Sequence, residues 1–333
     1  MGKGISGKPV VGVDLGGTKI LAGVVAADGQ ILGMAKRATK PEGGPEVVVA
    51  RIVKTVRKAV EAAKLDMSDI AAVASGAPGP LDPDQGIIWN APNLAGWENF
   101  PLADRLSERL EMPVCIENDV NLGTLGEYAL GAGRGARDVV GIFVGTGIGG
   151  GLILDGVLRQ GFRKAAAEIG HMIVLADGPA CGCGNRGCVE AVASRTAIER
   201  DILAGIDAGR ESLIPAIMQR DSRDRLTSGA LAEAFRGNDP LVTEVIGKAQ
   251  FYLGLLVASV VNFVDPEVVI FGGGVTEALG EDFLAPIRRV AYQCFINKRG
   301  AEQVKIVLAQ LGDNAVLLGA AVLARRRLGK DGA

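Results

Sequence analysis

Apolar runs and glycine-rich turns alternate at the start of the chain. Val10–Leu15 and Thr18–Ala26 are apolar runs of strand length, and the pair Gly16-Gly17 separates them. This pattern predicts two strands joined by a tight turn. Farther along, the apolar residues of Val47–Ala63 recur at helical spacing with Lys and Arg between them, which predicts an amphipathic helix. Strand and helix patterns mixed in this way indicate an α/β protein.

The second half of the chain repeats the layout of the first. A strand pattern at Val139–Val144 is followed by the glycine turn 145–151 and by a short apolar run, Leu152–Leu154. The turn contains the spacing G-x-G-x-x-G, but a second strand follows it rather than a helix, which argues against a dinucleotide-binding fold. A third strand pattern, Glu267–Phe271, runs into three glycines. Two similar strand–turn–strand hairpins predict a two-lobed nucleotide clamp.

The glycine turns are candidate phosphate sites, because backbone N–H groups can approach an anion closely where no Cβ intervenes. The Thr18 hydroxyl would add a donor, Asp14 would hold a phosphate-bound Mg²⁺ through water, and the third glycine turn would admit adenine and ribose. An ordinary hairpin turn is the alternative. The candidate nucleotide-binding residues are Asp14, Gly16, Gly17, Thr18, Lys19, Gly145, Thr146, Gly147, Gly149, Gly272, Gly273 and Gly274.

Composition narrows the class of protein. A chain of 333 residues exceeds one average domain, so two domains are expected. The net charge of −2 and the lack of a basic stripe argue against nucleic acid, and the basic cluster Arg325–Arg327 is interpreted as complementing a helix dipole. We expect no membrane association and a cytoplasmic location, because the sequence shows neither an 18-residue apolar run nor a signal peptide.

A cysteine-rich turn is the most specific feature of the sequence. Cys181, Cys183 and Cys188 are three of the five cysteines, and His171, ten positions upstream, is the only histidine. Three thiolates and one imidazole complete a tetrahedral Zn²⁺ site, and a site closed by four protein ligands is structural. Buried cysteines and a core histidine are the alternative. That alternative leaves unexplained why these residues crowd between glycines in a stretch without helical or strand period.

Carboxylates lie close to both ends of this segment. Glu168 precedes His171 by three residues, and Glu190 follows the last cysteine by two. A metal that fixes the segment would also position both carboxylates, whereas the alternative for each is a solvated surface charge.

A polar run marks a candidate catalytic position in the first half. The short strand pattern Pro113–Ile116 leads into Glu117-Asn118-Asp119-Val120-Asn121, and the helical pattern Leu122–Leu130 follows. An Asp held between a strand and a helix is a candidate general base. A plain helix N-cap is the alternative, since Asp and Asn are favoured there.

Taken in order, these motifs resemble the ROK family of sugar kinases, and within it the bacterial glucokinases. The resemblance runs from residue 10 to about residue 325 and implies the actin-like, ribonuclease-H-like ATPase fold. It also implies that Asp119 is the general base and that sugar hydroxyls are bound by Asn118, Glu168, His171 and Glu190, with Gly76 and Asn93 lining the pocket. One departure is that Ala165–Ala167 precedes Glu168 where the family more often has a glycine.

The function implied by the resemblance is transfer of the γ-phosphoryl group of ATP, with Mg²⁺, to the 6-hydroxyl of glucose. A kinase for fructose, mannose, N-acetylmannosamine or N-acetylglucosamine is the alternative enzyme. A sugar-sensing regulator is a third interpretation, against which Asp119 and both glycine turns count. We further expect a homodimer or homotetramer, a smaller domain of residues 1–118 with about 313–328, and a larger domain of 119–312 that carries the zinc loop.

Overall fold

The chain forms two compact units, each assembled from segments that are distant in sequence. The structure, a computed structural model, describes residues 7–91, 94, 96–223 and 225–328. The first unit consists of Met1–Gly135, Gly151–Ala166 and Asp313–Ala333, and the second consists of Ala136–Gly150 and Ala167–Gly312.

The strands follow the apolar runs of the sequence. They are β1 (Val10–Leu15), β2 (Lys19–Val25), β3 (Ile31–Ala38), β4 (Val73–Ala77), β5 (Leu81–Asp82), β6 (Ile87–Asn90), β7 (Glu98–Phe100), β8 (Val114–Asn118), β9 (Val139–Val144), β10 (Ile148–Leu154), β11 (Val157–Leu158), β12 (Val268–Gly272) and β13 (Lys305–Leu308).

The helices likewise follow the segments of helical period. They are α1 (Pro45–Ala62), α2 (Leu102–Leu110), α3 (Asp119–Leu130), α4 (Val189–Ala193), α5 (Arg195–Asp207), α6 (Ile214–Arg220), α7 (Ser228–Arg236), α8 (Pro240–Val264), α9 (Gly274–Leu279), α10 (Glu281–Cys294) and α11 (Ala315–Leu328). The predicted hairpin turn at Gly16-Gly17 and the predicted strand after the second glycine turn are both present.

The first unit is built on a sheet of order β3-β2-β1-β4-β8, beside a smaller sheet of order β5-β6-β7. In the larger sheet β1 is antiparallel to β2 but parallel to β4, and β4 is parallel to β8. The register sets Asp14 opposite Gly76 and Gly76 opposite Glu117. Because the parallel strands β1, β4 and β8 end at one edge of the sheet, Asp14 and Glu117 lie at that edge on either side of Gly76.

Helices cover this sheet with apolar side chains, and at glycines the backbones themselves come close together. The inner face of α1 is buried through Val48, Ile52 and Val56. Helix α11 packs on α3 so closely that a Cβ added at Gly319 would lie 1.8 Å from the carbonyl oxygen of Leu122. Only glycine allows this approach. The last helix of the chain therefore fixes the position of α3.

The packing of α3 explains where the units differ from the predicted domains. The prediction assigned 119–312 to one domain, whereas α3 and residues 151–166 both belong to the first unit. The prediction rested on strand and helix patterns, which do not report that α3 packs against the far end of the chain.

The second unit contains the parallel strands β9, β12 and β13. The sheet that contains these strands has the order β11-β10-β9-β12-β13, with β12 parallel to both of its neighbours. Phe271 on β12 and Phe283 on α10 are fully buried in its core. Of the helices that the structure describes, α8 is long and apolar enough to span a membrane by length and composition, with a mean hydropathy of 1.4. Because 61% of that window is buried within the protein, α8 is a core helix.

Candidate active site and metal centre

The predicted metal ligands lie together in the second unit. One ligand atom from each of His171, Cys181, Cys183 and Cys188 falls within 4.8 Å of all the others. The Cys181 Sγ atom lies 3.7 Å from His171 Nδ1, and the Cys183 and Cys188 Sγ atoms are also 3.7 Å apart. Ligands at zinc–sulfur and zinc–nitrogen distances around a tetrahedral ion would be separated by about 3.5–3.8 Å. The residues present therefore fit Zn²⁺.

Backbone hydrogen bonds fold the cysteine loop back on itself. Ile173 pairs with Cys188, and Ala180 pairs with Arg186, as antiparallel bridges. The Cys181 N–H donates to the Asn185 carbonyl at 2.8 Å. These bonds bring ligands from both ends of the loop to one point without a helix or strand, which is why the sequence shows no period there.

The thiols respond differently to their surroundings. Burial raises the pKa of Cys188 to about 12 and also raises the pKa of Cys181. A backbone N–H donated by Asn185 lowers the pKa of Cys183. Because a metal binds thiolates, its binding must release protons from these groups.

Glu190 connects the cysteine cluster to the glycine turn of the same unit. It lies in the first turn of α4, where Oε2 accepts the backbone N–H of Ile148 at 2.9 Å and Oε1 lies 3.8 Å from Cys181 Sγ. Glu168, by contrast, is exposed, and its carbonyl oxygen accepts the His171 N–H at 3.0 Å. Both carboxylates therefore belong to the segment that the cluster would order.

Asn118 and Asp119 lie at the junction of β8 and α3 in the first unit. The Asn118 Oδ1 atom accepts the N–H groups of Val120 and Asn121 at 2.9 and 3.1 Å, so Asn118 is the N-cap. Asp119 is the first residue of the helix, and its Oδ1 also accepts the Val120 N–H at 2.9 Å. The interpretation of Asp119 as the N-cap is wrong, because Asn118 holds that position. The helix begins at Asp119, three residues before the apolar pattern that starts at Leu122.

Gly76 lies beside this junction. It is buried on β4, and a Cβ added there would be 2.7 Å from the Val316 side chain and 3.4 Å from the Asp119 Cα. Its position is thus compatible with a pocket lining next to Asp119. Asn93 lies outside the described residues, so its predicted role stays a prediction.

Asp14 is the titratable group of the first glycine turn. Burial raises its pKa from 3.8 to about 6, although the nearby Lys19 ammonium lowers it and Asp313 raises it. The Lys19 Nζ atom donates to Asp313 at 2.9 Å. The turn itself is closed by the Gly16 N–H, which donates to the Lys19 carbonyl at 2.9 Å. Thr18 lies within this turn.

The second glycine turn, 145–149, is held by the start of α5. The Arg195 N–H donates to the Gly145 carbonyl at 2.9 Å, and its guanidinium donates to the Thr146 hydroxyl at 2.8 Å. The Thr196 hydroxyl donates to the Thr146 carbonyl at 2.8 Å. Sequence reasoning missed Arg195 and Thr196. Ser194 could have indicated them, because a serine is a favoured N-cap and Ser194 caps α5 directly before these two residues.

Three glycines, Gly272–Gly274, join β12 to α9. Gly273 has φ 86°, and a Cβ added there would lie 2.6 Å from the carbonyl oxygen of Val144 on β9. Only glycine suits that backbone conformation and that approach. The second unit therefore presents two glycine turns, this one and 145–149, at the carboxyl ends of adjacent parallel strands, where ligands bind in α/β sheets.

The ROK family model matches residues 10–327, almost the whole of the described chain. The chain belongs to the ROK family. Its relatives include the glucokinase of Thermotoga maritima, which is 37% identical over 96% of this chain and 98% of the relative. The members have the actin-like, ribonuclease-H-like ATPase fold, as the motifs implied.

Solved structures of family members agree closely with this one. A ROK glucokinase from Streptomyces griseus, in complex with glucose and AMPPNP, has a TM-score of 0.83 and 38% identity, covering 96% of this chain and 99% of that one. A ROK hexokinase from Thermus thermophilus has a TM-score of 0.81 and 36% identity, covering 97% and 100%.

Proposed function

We propose that this protein is a glucokinase, which transfers the γ-phosphoryl group of ATP to the 6-hydroxyl of glucose. The observation that carries the proposal is the β8–α3 junction, where Asn118 takes the N-cap position and Asp119 follows it, in a chain whose relatives include glucokinases. The named glucokinase relatives, and the bound glucose and AMPPNP of the Streptomyces griseus enzyme, support the choice of substrates.

In the proposed mechanism Asp119 accepts the proton of the sugar hydroxyl as that hydroxyl attacks phosphorus. The Asn118 Oδ1 atom is occupied by two helix N–H groups, so its amide nitrogen is the part that would bind a sugar hydroxyl. Phosphoryl transfer involves little covalent chemistry for the protein to perform, and positioning and electrostatics supply most of the rate.

The remaining sugar contacts are assigned to the cysteine loop. Zn²⁺ would be held by His171, Cys181, Cys183 and Cys188, and its role would be to order the loop rather than to act on substrate. With the Nδ1 atom of His171 facing the cluster, the Nε2 atom remains for a sugar hydroxyl. Glu168 and Glu190 would bind further hydroxyls, and Gly76 and Asn93 remain candidates for the lining of the sugar pocket.

Nucleotide binding is assigned to the three glycine turns. Backbone N–H groups of the first two would bind phosphate oxygens, the third would admit adenine and ribose, and Asp14 would hold Mg²⁺ through water. We also propose that the enzyme is cytoplasmic, binds neither nucleic acid nor membrane, and is a homodimer or homotetramer. Light scattering that gave a mass near 34.4 kDa would contradict the oligomer.

Replacement of Asp119 by Asn tests the proposed base. The amide keeps the size and the hydrogen bond to Val120 but cannot take a proton, so kcat should fall by about 10²–10⁴-fold. The glucose dissociation constant, measured by calorimetry, should change far less. Asp104→Asn is the matched control, since Asp104 is an exposed Asp in the first turn of α2 of the same unit. Retention of more than about a tenth of kcat by Asp119→Asn would show that Asp119 is not the base.

A panel of sugars separates this proposal from its alternatives. ADP release is measured with glucose, fructose, mannose, N-acetylmannosamine and N-acetylglucosamine. The highest kcat/KM is expected for glucose, and a higher value for an N-acyl amino sugar would overturn the choice of substrate. Turnover with none of them, together with tight sugar binding, would favour the sugar-sensing regulator.

A further inference from the structure

One buried carboxylate next to the proposed base has no role in the mechanism above. Glu117 is the residue of β8 before Asn118, and it is only 1% exposed. A charged side chain at such burial requires partners, because its transfer from water is otherwise very unfavourable.

The two oxygens of Glu117 bind different parts of the first unit. Oε1 accepts the backbone N–H of Asn118 at 3.0 Å and the side-chain amide of Asn121 at 3.1 Å. Oε2 accepts the side-chain amide of Gln160 and lies 3.6 Å from the Arg327 guanidinium. One oxygen thus holds the strand-to-helix junction, and the other is anchored by residues far away in sequence.

The anchors are themselves held in place. Arg327 comes from the last turn of α11, where its guanidinium also donates to the Pro83 carbonyl at 2.6 Å and lies 3.7 Å from Asp84. The Lys164 ammonium binds the Asp84 carboxylate and donates to the side-chain oxygen of Gln160, Oε1, at 3.5 Å. The negative charge of Glu117 is therefore balanced within a connected set of groups.

We infer that Glu117 is a positioning residue for phosphoryl transfer. Glu117 acts through Asp119 and is itself anchored by Arg327 and Gln160. It holds the backbone at the point where Asn118 and Asp119 leave the strand. A displacement of about 1 Å at a reacting group can lower the rate by about 10²-fold, so a rigid junction has a direct kinetic value. This inference rests on the proposed role of Asp119 as the base.

Glu117→Gln is the primary variant because it preserves size. Its carbonyl oxygen can still accept from Asn118 and Asn121, but its new amide nitrogen faces two donors, Gln160 and Arg327. We expect kcat to fall by about tenfold or more, with a smaller change in the KM for glucose.

A double-mutant cycle with Asp119→Asn decides between positioning and a merely structural role. If Glu117 acts through Asp119, Glu117→Gln lowers kcat strongly in the wild-type background and hardly at all in the Asp119→Asn background. If the kcat losses of the two single variants multiply in the double variant, the inference about Glu117 is overturned, whereas the proposed role of Asp119 as the base is unaffected. An Asp119→Asn variant with nearly full kcat would overturn both.

The anchor provides a second route if Glu117→Gln does not fold. Arg327→Gln then takes the place of Glu117→Gln in the cycle with Asp119→Asn. Its loss of kcat is likewise expected to be large in the wild-type background and small in the Asp119→Asn background. Arg326→Gln is the matched control, because the neighbouring Arg326 is exposed and contacts the Tyr128 ring and the Gly156 carbonyl instead. Equal losses of kcat in Arg326→Gln and Arg327→Gln would contradict the proposed anchoring.

Discussion

At the scale of single residues, the raised pKa of Asp14 has a consequence for stability. The folded protein holds this carboxyl with a pKa of about 6 against an ordinary value of 3.8, so it binds more protons than the unfolded chain between those values. The free energy of unfolding therefore rises as the pH falls through about 6. At pH 7 the ionised carboxylate therefore destabilises the fold.

Asp14→Asn should accordingly stabilise the protein at neutral pH. The gain is expected to be up to about 3 kcal/mol at pH 7 and to shrink to about 0.5 kcal/mol near pH 4, where Asp14 is itself neutral in the folded state. Denaturant unfolding at the two pH values measures it. Asp28→Asn is the control, because Asp28 is exposed and its hydrogen bond to the Gln30 N–H can be made by Asn. A gain that is the same at both pH values would contradict the assignment.

Ala167 gives a second prediction at this scale. Its φ of 65° lies in the left-handed region, directly before Glu168. This conformation costs an L-residue about 1–2 kcal/mol, part of which is offset because glycine loses more entropy on folding. Ala167→Gly should raise the free energy of unfolding by up to about 1 kcal/mol. Ala166→Gly, at an ordinary φ, should lower it. Destabilisation by both substitutions would show that Ala167 is not strained.

At the scale of elements, the cysteine loop should behave as one unit with the glycine turn 145–149. Cys183→Ser removes one ligand, so we expect loss of zinc by elemental analysis and a Tm lower by about 4 °C or more. Because Glu190 joins the loop to Ile148, amide hydrogen exchange should quicken both in the loop and at residues 145–149. Cys294→Ser is the control, at an exposed cysteine outside the cluster. Faster exchange confined to the loop would contradict the connection through Glu190.

Sequence patterns predicted elements better than they predicted the contacts between them. The bounds of β1 and β9 agree with their apolar runs, since nearly every residue of these two strands is buried. The start of α3 was missed because its first turn is polar: its backbone N–H groups donate to the Asn118 side chain, and the Asn121 amide nitrogen donates to Glu117. The metal ligands were found because Cys and His are rare and closely spaced here.

Contacts between distant segments left no such signal. The cluster Arg325–Arg327 was interpreted as a set of charges at a helix end, and that interpretation is incomplete. Arg325 donates to the Val25 carbonyl, Arg326 to the Gly156 carbonyl, and Arg327 reaches Glu117. Each partner is more than a hundred residues away in the sequence, and the local periodicity of apolar residues does not predict such a contact.

At the scale of the whole molecule, the chain passes from one unit to the other and back twice before it ends. The first unit contains both the beginning and the end of the described chain, and Gly12 on β1 meets the backbone of Leu317 on α11. The second unit is interrupted only by residues 151–166. The stability of the first unit therefore depends on α11, which a chain truncated before Asp313 would lack.

This arrangement also sets an order of events during synthesis. Among the described elements, the hairpin of β1 and β2 leaves the ribosome first, and α11, whose Gly319 lies against the backbone of α3, leaves it last. At about 5–20 residues per second, the early strands wait about 15–60 s for the helix that completes their unit. Throughout that interval the face of β1 that α11 will cover has no native partner in the chain made so far. Until α11 has been synthesised, β1 and β2 are therefore exposed to pairing with other chains.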